Sequence, residues 1–259
     1  MAQATSTGVN EPAWVDLSSS DAQASRDFYA GLFGWKVEVN PDPLYGGYAM
    51  AKVGDVDVAG IGPTQNPEQP TAWNVYIGTD DVDGLAARVQ AAGGKVVAPP
   101  FDVGDQGRMA VFQDPSGAFI SSWKPTGMSS VQLGAANSYG WAELSARGLD
   151  QDLPFYSAVF GWTTRTSDMG EGQPPYTEFL LDGRAVAGAM EMNAMVPAQV
   201  PSYWMVYFSV DDVDETYRKA IAGGAHEMLA PGDFPGGRFA ILSDPQGAAF
   251  GLLKMTTPR

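Results

Sequence analysis

Apolar and polar residues alternate along Trp14-Val15-Asp16-Leu17-Ser18-Ser19, which predicts a strand with one face against a core. Ala24, Phe28 and Leu32, with Phe33, then recur at helical spacing. Ser20 to Gln23 offers a capping box before them, and Gly34 supplies a stop. Three short strands follow, WKVEV (35–39), YAMAKV (48–53) and VDVAGIG (56–62), separated by Pro- and Gly-containing loops. The same order then begins again. WNVYIGT (73–79) reads as a strand, Val82, Leu85, Ala86, Val89 and Ala92 share a helical face, and GGKVVAPP, RMAVFQD and AFISSW read as three more strands.

This strand–helix–three-strand unit is written four times, because the second half of the chain repeats the first. Trp14-Val15-Asp16-Leu17 returns as Trp141-Ala142-Glu143-Leu144, and FYAGLFGW (28–35) as FYSAVFGW (155–162), both at an offset of 127. WNVYIGTDDVD (73–83) returns as WMVYFSVDDVD (204–214) at 131, and GRMAVFQDPSGAF (107–119) as GRFAILSDPQGAA (237–249) at 130. Order and spacing are kept, with small slips in loops. The pattern is a tandem duplication of a pair of βαβββ modules, an α+β fold. It predicts one domain over 1–126 and another over 138–259, with structured limits near 11–125 and 138–256 and a linker over 127–137.

Composition narrows the chemistry. The 259 residues include 31 Gly, 19 Pro and 44% apolar residues, as expected of a globular, turn-rich chain. A net charge of −15 argues against nucleic-acid and anionic-membrane partners. No cysteine is present, which removes disulfides, thiolate nucleophiles and Cys-ligated metals. The single histidine, His226, stands in GGAHEML at a turn or strand start, so a Ser-His-Asp triad or a two-His zinc site has little to draw on. Neither a signal peptide nor a membrane span is visible, so the expectation is a cytoplasmic protein, monomeric or homodimeric.

Strand parity sorts the side chains. If Val15, Leu17, Val75, Ile77 and Ile120 face the helices, the opposite face carries Trp14, Asp16, Ser18, Asn74, Tyr76, Phe119, Ser121 and Trp123. In the second half the matching set includes Trp141, Glu143, Met205, Tyr207, Phe239 and Gly251.

Paired βαβββ modules, DPSG (114–117) or DPQG (244–247) before the last strand, and FYAGLFGW after the first helix together resemble the vicinal oxygen chelate superfamily. This is the glyoxalase, bleomycin-resistance and extradiol-dioxygenase group, and the layout is similar to its tandem two-domain actinobacterial members. The resemblance implies two glyoxalase/bleomycin-resistance-like domains, each curling its sheet around one cleft. In metal-using members His, Gln or Glu ligands come from the first and last strands of each module. The corresponding positions here hold Trp14, Asn74, Ser121 and the Ala59–Gly60 stretch, then Trp141, Met205, Gly251 and Ala187–Gly188. These side chains offer a poor ligand set, so no metal and no cofactor are expected. Asp16 and Glu143 are candidate general acids or bases. The alternative is that each acid is simply hydrogen-bonded inside the cleft. Arg108 and Arg238 either clamp a ligand carboxylate, cap a loop, or pair with Asp105 or Asp233. The aromatics suit a planar, apolar ligand.

Three functions follow from these residues. The first is metal-free binding of an aromatic small molecule, with antibiotic sequestration as one form. The second is an accessory or tailoring role, hydroxylase-like or proton-transferring, on an aromatic natural product. The third is a metal-dependent lyase or dioxygenase.

Overall fold

The computed structural model describes residues 5–6, 8–127, 131–132, 134–170, 174–193 and 196–256. A two-residue strand β1 (Thr5–Ser6) precedes the first half. That half runs β2 (Pro12–Ser19), α1 (Ala22–Phe33), β3 (Lys36–Val39), β4 (Ala49–Val53), β5 (Val56–Pro63), β6 (Ala72–Gly78), α2 (Val82–Ala91), β7 (Lys95–Val103), β8 (Gly107–Gln113) and β9 (Phe119–Pro125). Strand β10 (Val131–Gln132) pairs back onto β1. The second half runs β11 (Ser138–Ala146), α3 (Leu149–Phe160), β12 (Thr163–Ser167), β13 (Tyr176–Leu181), β14 (Arg184–Glu191), β15 (Tyr203–Ser209), α4 (Val213–Ala222), β16 (His226–Phe234), β17 (Gly237–Ser243) and β18 (Ala249–Met255). Part of the 127–137 stretch expected as a linker lies outside the described residues. No described helix is long and apolar enough to cross a membrane.

Each half builds one eight-stranded sheet with the same order, β3-β4-β5-β2-β6-β9-β8-β7 and β12-β13-β14-β11-β15-β18-β17-β16. The two modules of a half meet at a central antiparallel pair, β2 with β6 and β11 with β15. A bulge interrupts each pair at the same place, between Pro12 and Trp14 and between Tyr139 and Trp141. The extra residue restores alternation, so that Trp14, Asp16 and Ser18 share one face and Val15 and Leu17 the other.

The apolar parity set is buried as the alternation predicts: Val15, Leu17, Val75, Ile77 and Ile120 all lie in the core. That core is continuous across both halves. Tyr29 of α1 stacks on Trp35 and meets Trp73 edge-on, while Phe208 and Phe250 of the second half pack against the same ring. Hydrogen bonds cross as well. Tyr29 donates to Asp244 at 3.0 Å, and its repeat counterpart Tyr156 donates to Asp114 at 2.9 Å. Asn10 and Asn137, both in left-handed backbone that Asn tolerates, offer their carbonyls to Trp162 and Trp35 respectively. The FYAGLFGW and FYSAVFGW motifs therefore join the two sheets back to back.

This crossing corrects two local expectations. Leu32 and Phe33 of α1 are buried as predicted, but Ser25 and Tyr29 are buried in place of Ala24 and Phe28, because the second half provides partners for their polar groups. The cap of α1 is Asp21, which accepts from the Ala24 amide, rather than Ser20. The repeated Asp-Asp-Val-Asp caps α2 and α4 through Asp81 and Asp212. α3 has Gly148 at its cap and borrows an acceptor: the Glu191 carboxylate takes the Gly148 and Leu149 amides.

Candidate functional site

On the face of the first sheet turned away from the core, Asp16 is the hub of a closed hydrogen-bond network. Its neighbours across the ladder are Asn74 on β6 and Gly60 on β5. Asn74 donates its amide to Asp16 Oδ1 at 2.8 Å and to Ser18 at 3.1 Å. Tyr76 donates to Asp16 Oδ2 at 3.0 Å, and Tyr48 to the same oxygen at 3.2 Å. Trp14 in turn donates its indole N–H to Tyr48 at 3.0 Å, and Ser121 hydrogen-bonds Tyr76. Trp14 and Tyr76 are direct neighbours, as are Tyr76 and Ser121, so one row of the sheet carries all three.

The electrostatics follow from burial. Asp16 is 8% exposed, and desolvation raises its pKa against the opposing pull of Asn74, Tyr76 and Tyr48. Burial, and then the charge of Asp16, push the Tyr48 and Tyr76 hydroxyls well above their ordinary range. Both phenols therefore stay protonated and donate inward.

The second half repeats this arrangement with altered contents. Trp141 donates to Tyr176 at 2.9 Å, and Tyr207 donates to Glu143 at 3.3 Å. Around them, Met205, Tyr207, Leu253 and Trp141 form a buried apolar cluster against which Tyr203, Phe234, Phe239 and Ala249 pack. Met205 is 2% exposed and Leu253 7%, whereas their counterparts Asn74 and Trp123 are half-buried. Phe119, whose counterpart is Ala249, is 52% exposed and stands at the rim rather than in the floor.

Trp14, Asp16, Asn74, Tyr76 and Ser121 thus come together as their parity predicts, with Trp123 two residues beyond Ser121 on β9. Tyr48 and Tyr176, not singled out in the sequence, complete the two networks. The repeat carries a signal for them, since Tyr48 and Tyr176 recur at an offset of 128, as do Gly60 and Gly188. A Cβ on Gly60 would lie 1.7 Å from the Tyr48 hydroxyl, and one on Gly188 would lie 2.0 Å from that of Tyr176. Each glycine leaves room for a phenol on the adjoining strand.

That geometry tests whether a metal fits. Gly60 has no donor, Asp16 already accepts three hydrogen bonds from neighbours, and the Asn74 amide nitrogen faces the carboxylate. Among the described residues no three His, Asp or Glu side chains converge. This donor set does not fit a divalent metal.

The arginines point elsewhere. Arg108 pairs with Asp83 and Asp102, and Arg238 with Asp214 and Asp233. Asp233 is thus a partner as expected, but Asp105 is not; Tyr45 and Gln106 donate to it instead. Equivalent tethers in both halves leave neither guanidinium in a cleft. His226 is exposed at the start of β16.

Comparison with known proteins agrees with this architecture. The family model described as Glyoxalase/Bleomycin resistance protein/Dioxygenase superfamily matches residues 12–121 and 138–252. The chain is 42% identical over 249 residues to a Mycobacterium tuberculosis protein named "Putative glyoxylase CFP32", covering 94% of each. It is 38% identical over 259 residues to "Anthracycline biosynthesis protein DnrV" of Streptomyces peucetius, covering 94% of this chain and 93% of the relative. Among solved structures, the Mn(II)-bound glyoxalase of Novosphingobium aromaticivorans superposes with a TM-score of 0.66 at 19% identity, covering 95% of this chain and 82% of that one. The 2,2',3-trihydroxybiphenyl 1,2-dioxygenase of Sphingomonas wittichii gives 0.66 at 14%, covering 95% and 91%. At those identities the structural matches speak to fold alone. With two duplicated halves, paired βαβββ modules and a family match along both, the chain belongs to the glyoxalase/bleomycin resistance protein/dioxygenase superfamily.

Proposed function

We propose that the cleft of the first half binds a planar, largely apolar small molecule, and that the protein handles this ligand without a bound metal. One observation carries the reading: Trp14, Asn74 and Trp123 are half-buried, while their counterparts Trp141, Met205 and Leu253 are packed into an apolar cluster. An open floor with aromatic and polar groups suits a ligand; a filled one suits stability. Similarity to a protein named for anthracycline biosynthesis supports a planar aromatic compound as the ligand class.

The test is a fluorescence titration with planar aromatic probes, alongside elemental analysis of the purified protein. Quenching should shrink in Trp14→Phe or Trp123→Phe, and the melting temperature should not respond to chelator. A stoichiometric divalent ion whose removal lowers the melting temperature overturns the metal-free part. Wild-type quenching and affinity in Asp16→Asn, Asn74→Met and Trp123→Ala alike overturn the site.

A second reading, tailoring of the bound aromatic with Asp16 as a proton acceptor, is favoured by the raised pKa of this buried acid. Single-turnover product formation that is lost in Asp16→Asn, with ligand binding retained, would establish it.

A further inference from the structure

We infer that the ligand of the first cleft presents a hydrogen-bond donor to Asn74, such as a ring hydroxyl, rather than a carboxylate or a bare carbonyl. This inference rests on the proposed binding role of that cleft. It comes from the direction in which the groups bonded to Asp16 are already turned.

The Asp16 carboxylate fixes these directions. It can only accept, so Asn74 must turn its nitrogen toward it; the reverse rotamer would set a carbonyl oxygen against an anion. Tyr76 and Tyr48 spend their protons on Asp16 Oδ2, Trp14 spends its N–H on Tyr48, and Ser121 bonds to Tyr76. The donors around Asp16 are therefore consumed within the floor. What Asn74 leaves over is an acceptor: its carbonyl oxygen takes no hydrogen bond from a described residue, and the side chain is only half-buried. Ser18, which accepts from Asn74, is the one hydroxyl nearby that can turn either way.

A ligand group meeting Asn74 Oδ1 must donate to it, or leave a polar atom desolvated and unpaired. A carboxylate would instead face that oxygen and the Asp16 charge behind it, in a chain of net charge −15. Sites built around one hydrogen-bonding group discriminate strongly against analogues that lack its partner. The second half shows the contrast, because Met205 stands in place of Asn74 and offers no such acceptor.

The experiment compares three probes of one ring system by tryptophan quenching: 2-naphthol, 2-methoxynaphthalene and 2-naphthoate. Wild type should bind 2-naphthol roughly tenfold more tightly than its methyl ether, with 2-naphthoate weakest. In Asn74→Leu, and in the smaller Asn74→Ala should the first fold poorly, the naphthol-to-ether ratio should fall toward one. Met205→Leu should leave the ratio unchanged. Equal affinities for all three probes in wild type, tightest binding of 2-naphthoate, or a ratio indifferent to Asn74 overturn the donor requirement while the cleft stands as a binding site. Absence of quenching by all three overturns the cleft as an aromatic site, and this inference with it.

Discussion

The two halves have the same strand order, the same bulge before the first cleft tryptophan, and the same Trp-to-Tyr hydrogen bond. Yet one floor is polar, with Trp14, Asn74 and Trp123 half-buried, and the other is apolar, with Trp141, Met205 and Leu253 buried. The difference comes down to a few side chains: Asn74, Ser121, Trp123 and Phe119 against Met205, Gly251, Leu253 and Ala249. At Gly251 a Cβ would sit 2.0 Å from the Tyr207 ring, so in the second half the space above Ser121's counterpart is occupied by that ring. After duplication, one copy of a concave sheet can be given over to packing while the other keeps its floor accessible. An apolar filling stabilises the copy that holds it. The polar floor, by contrast, needs every buried donor and acceptor matched.

The largest expected effect follows from that filling. Met205→Ala should lower stability by about 2–4 kcal/mol, the range for removing a buried long side chain and leaving a cavity. Asn74→Ala, at a half-exposed site, should cost only about 1–2 kcal/mol. Chemical denaturation of both variants measures the gap, and equal losses would mean that the two clefts are packed alike.

A second contrast lies where the halves cross. Ser25 of α1 meets Gln246 of the second half's turn, while its counterpart Asp152 of α3 accepts from the Ser116 amide of the first half's turn. Asp152 is fully buried, and its other oxygen has no hydrogen-bond partner among the described residues. Desolvation, then the nearby charge of Asp114, raise its pKa to about 7. Below the unfolded carboxylate value, near pH 4, the group is protonated in both states and costs nothing. As pH rises toward 7 the native state holds a proton that the unfolded chain has released, so stability falls. Asp152→Ser, which copies Ser25, should therefore raise stability at pH 8 by about 2 kcal/mol and flatten the loss between about pH 4 and pH 7. Urea midpoints across that range decide it. A wild-type stability that climbs from pH 4 to 7, unchanged in Asp152→Ser, would remove the buried acid from the account.

A third effect concerns ligand affinity. Asn74→Met makes the first floor resemble the second and should weaken an aromatic probe by about 1–2 kcal/mol. The smallest concerns solvent access. Trp14→Phe should remove more of the acrylamide-quenchable emission than Trp141→Phe, because Trp14 is half-buried and Trp141 only 7% exposed.

Much of the site was legible in the chain. Parity separated Val15, Leu17, Val75 and Ile77 from Trp14, Asp16, Asn74 and Tyr76, because a pleated strand allows each residue only two directions. The repeat placed Asn74 opposite Met205 and so marked where the two floors differ. Tyr48 opens the strand read over 48–53, but nothing in that segment tells that its hydroxyl reaches Asp16 and Trp14. Its role depends on Gly60 giving way across the ladder. In α1, Leu32 and Phe33 follow the apolar pattern, while Ser25 and Tyr29 replace Ala24 and Phe28 for a related reason. Burying Tyr29 and Ser25 is reasonable only once Asp244 and Gln246 arrive from the other half.

The sequence by itself thus determined what is local or periodic: the duplicated βαβββ units and the facing of each strand. The tertiary structure alone decided how deeply each floor is buried, which way the Asn74 amide turns, and how Tyr29, Tyr156, Trp35 and Trp162 tie each half to the other. Those outcomes depend on contacts between residues far apart in the chain. There a hydroxyl or carbonyl acquires its direction from its partner's charge, and periodicity carries no information about that partner.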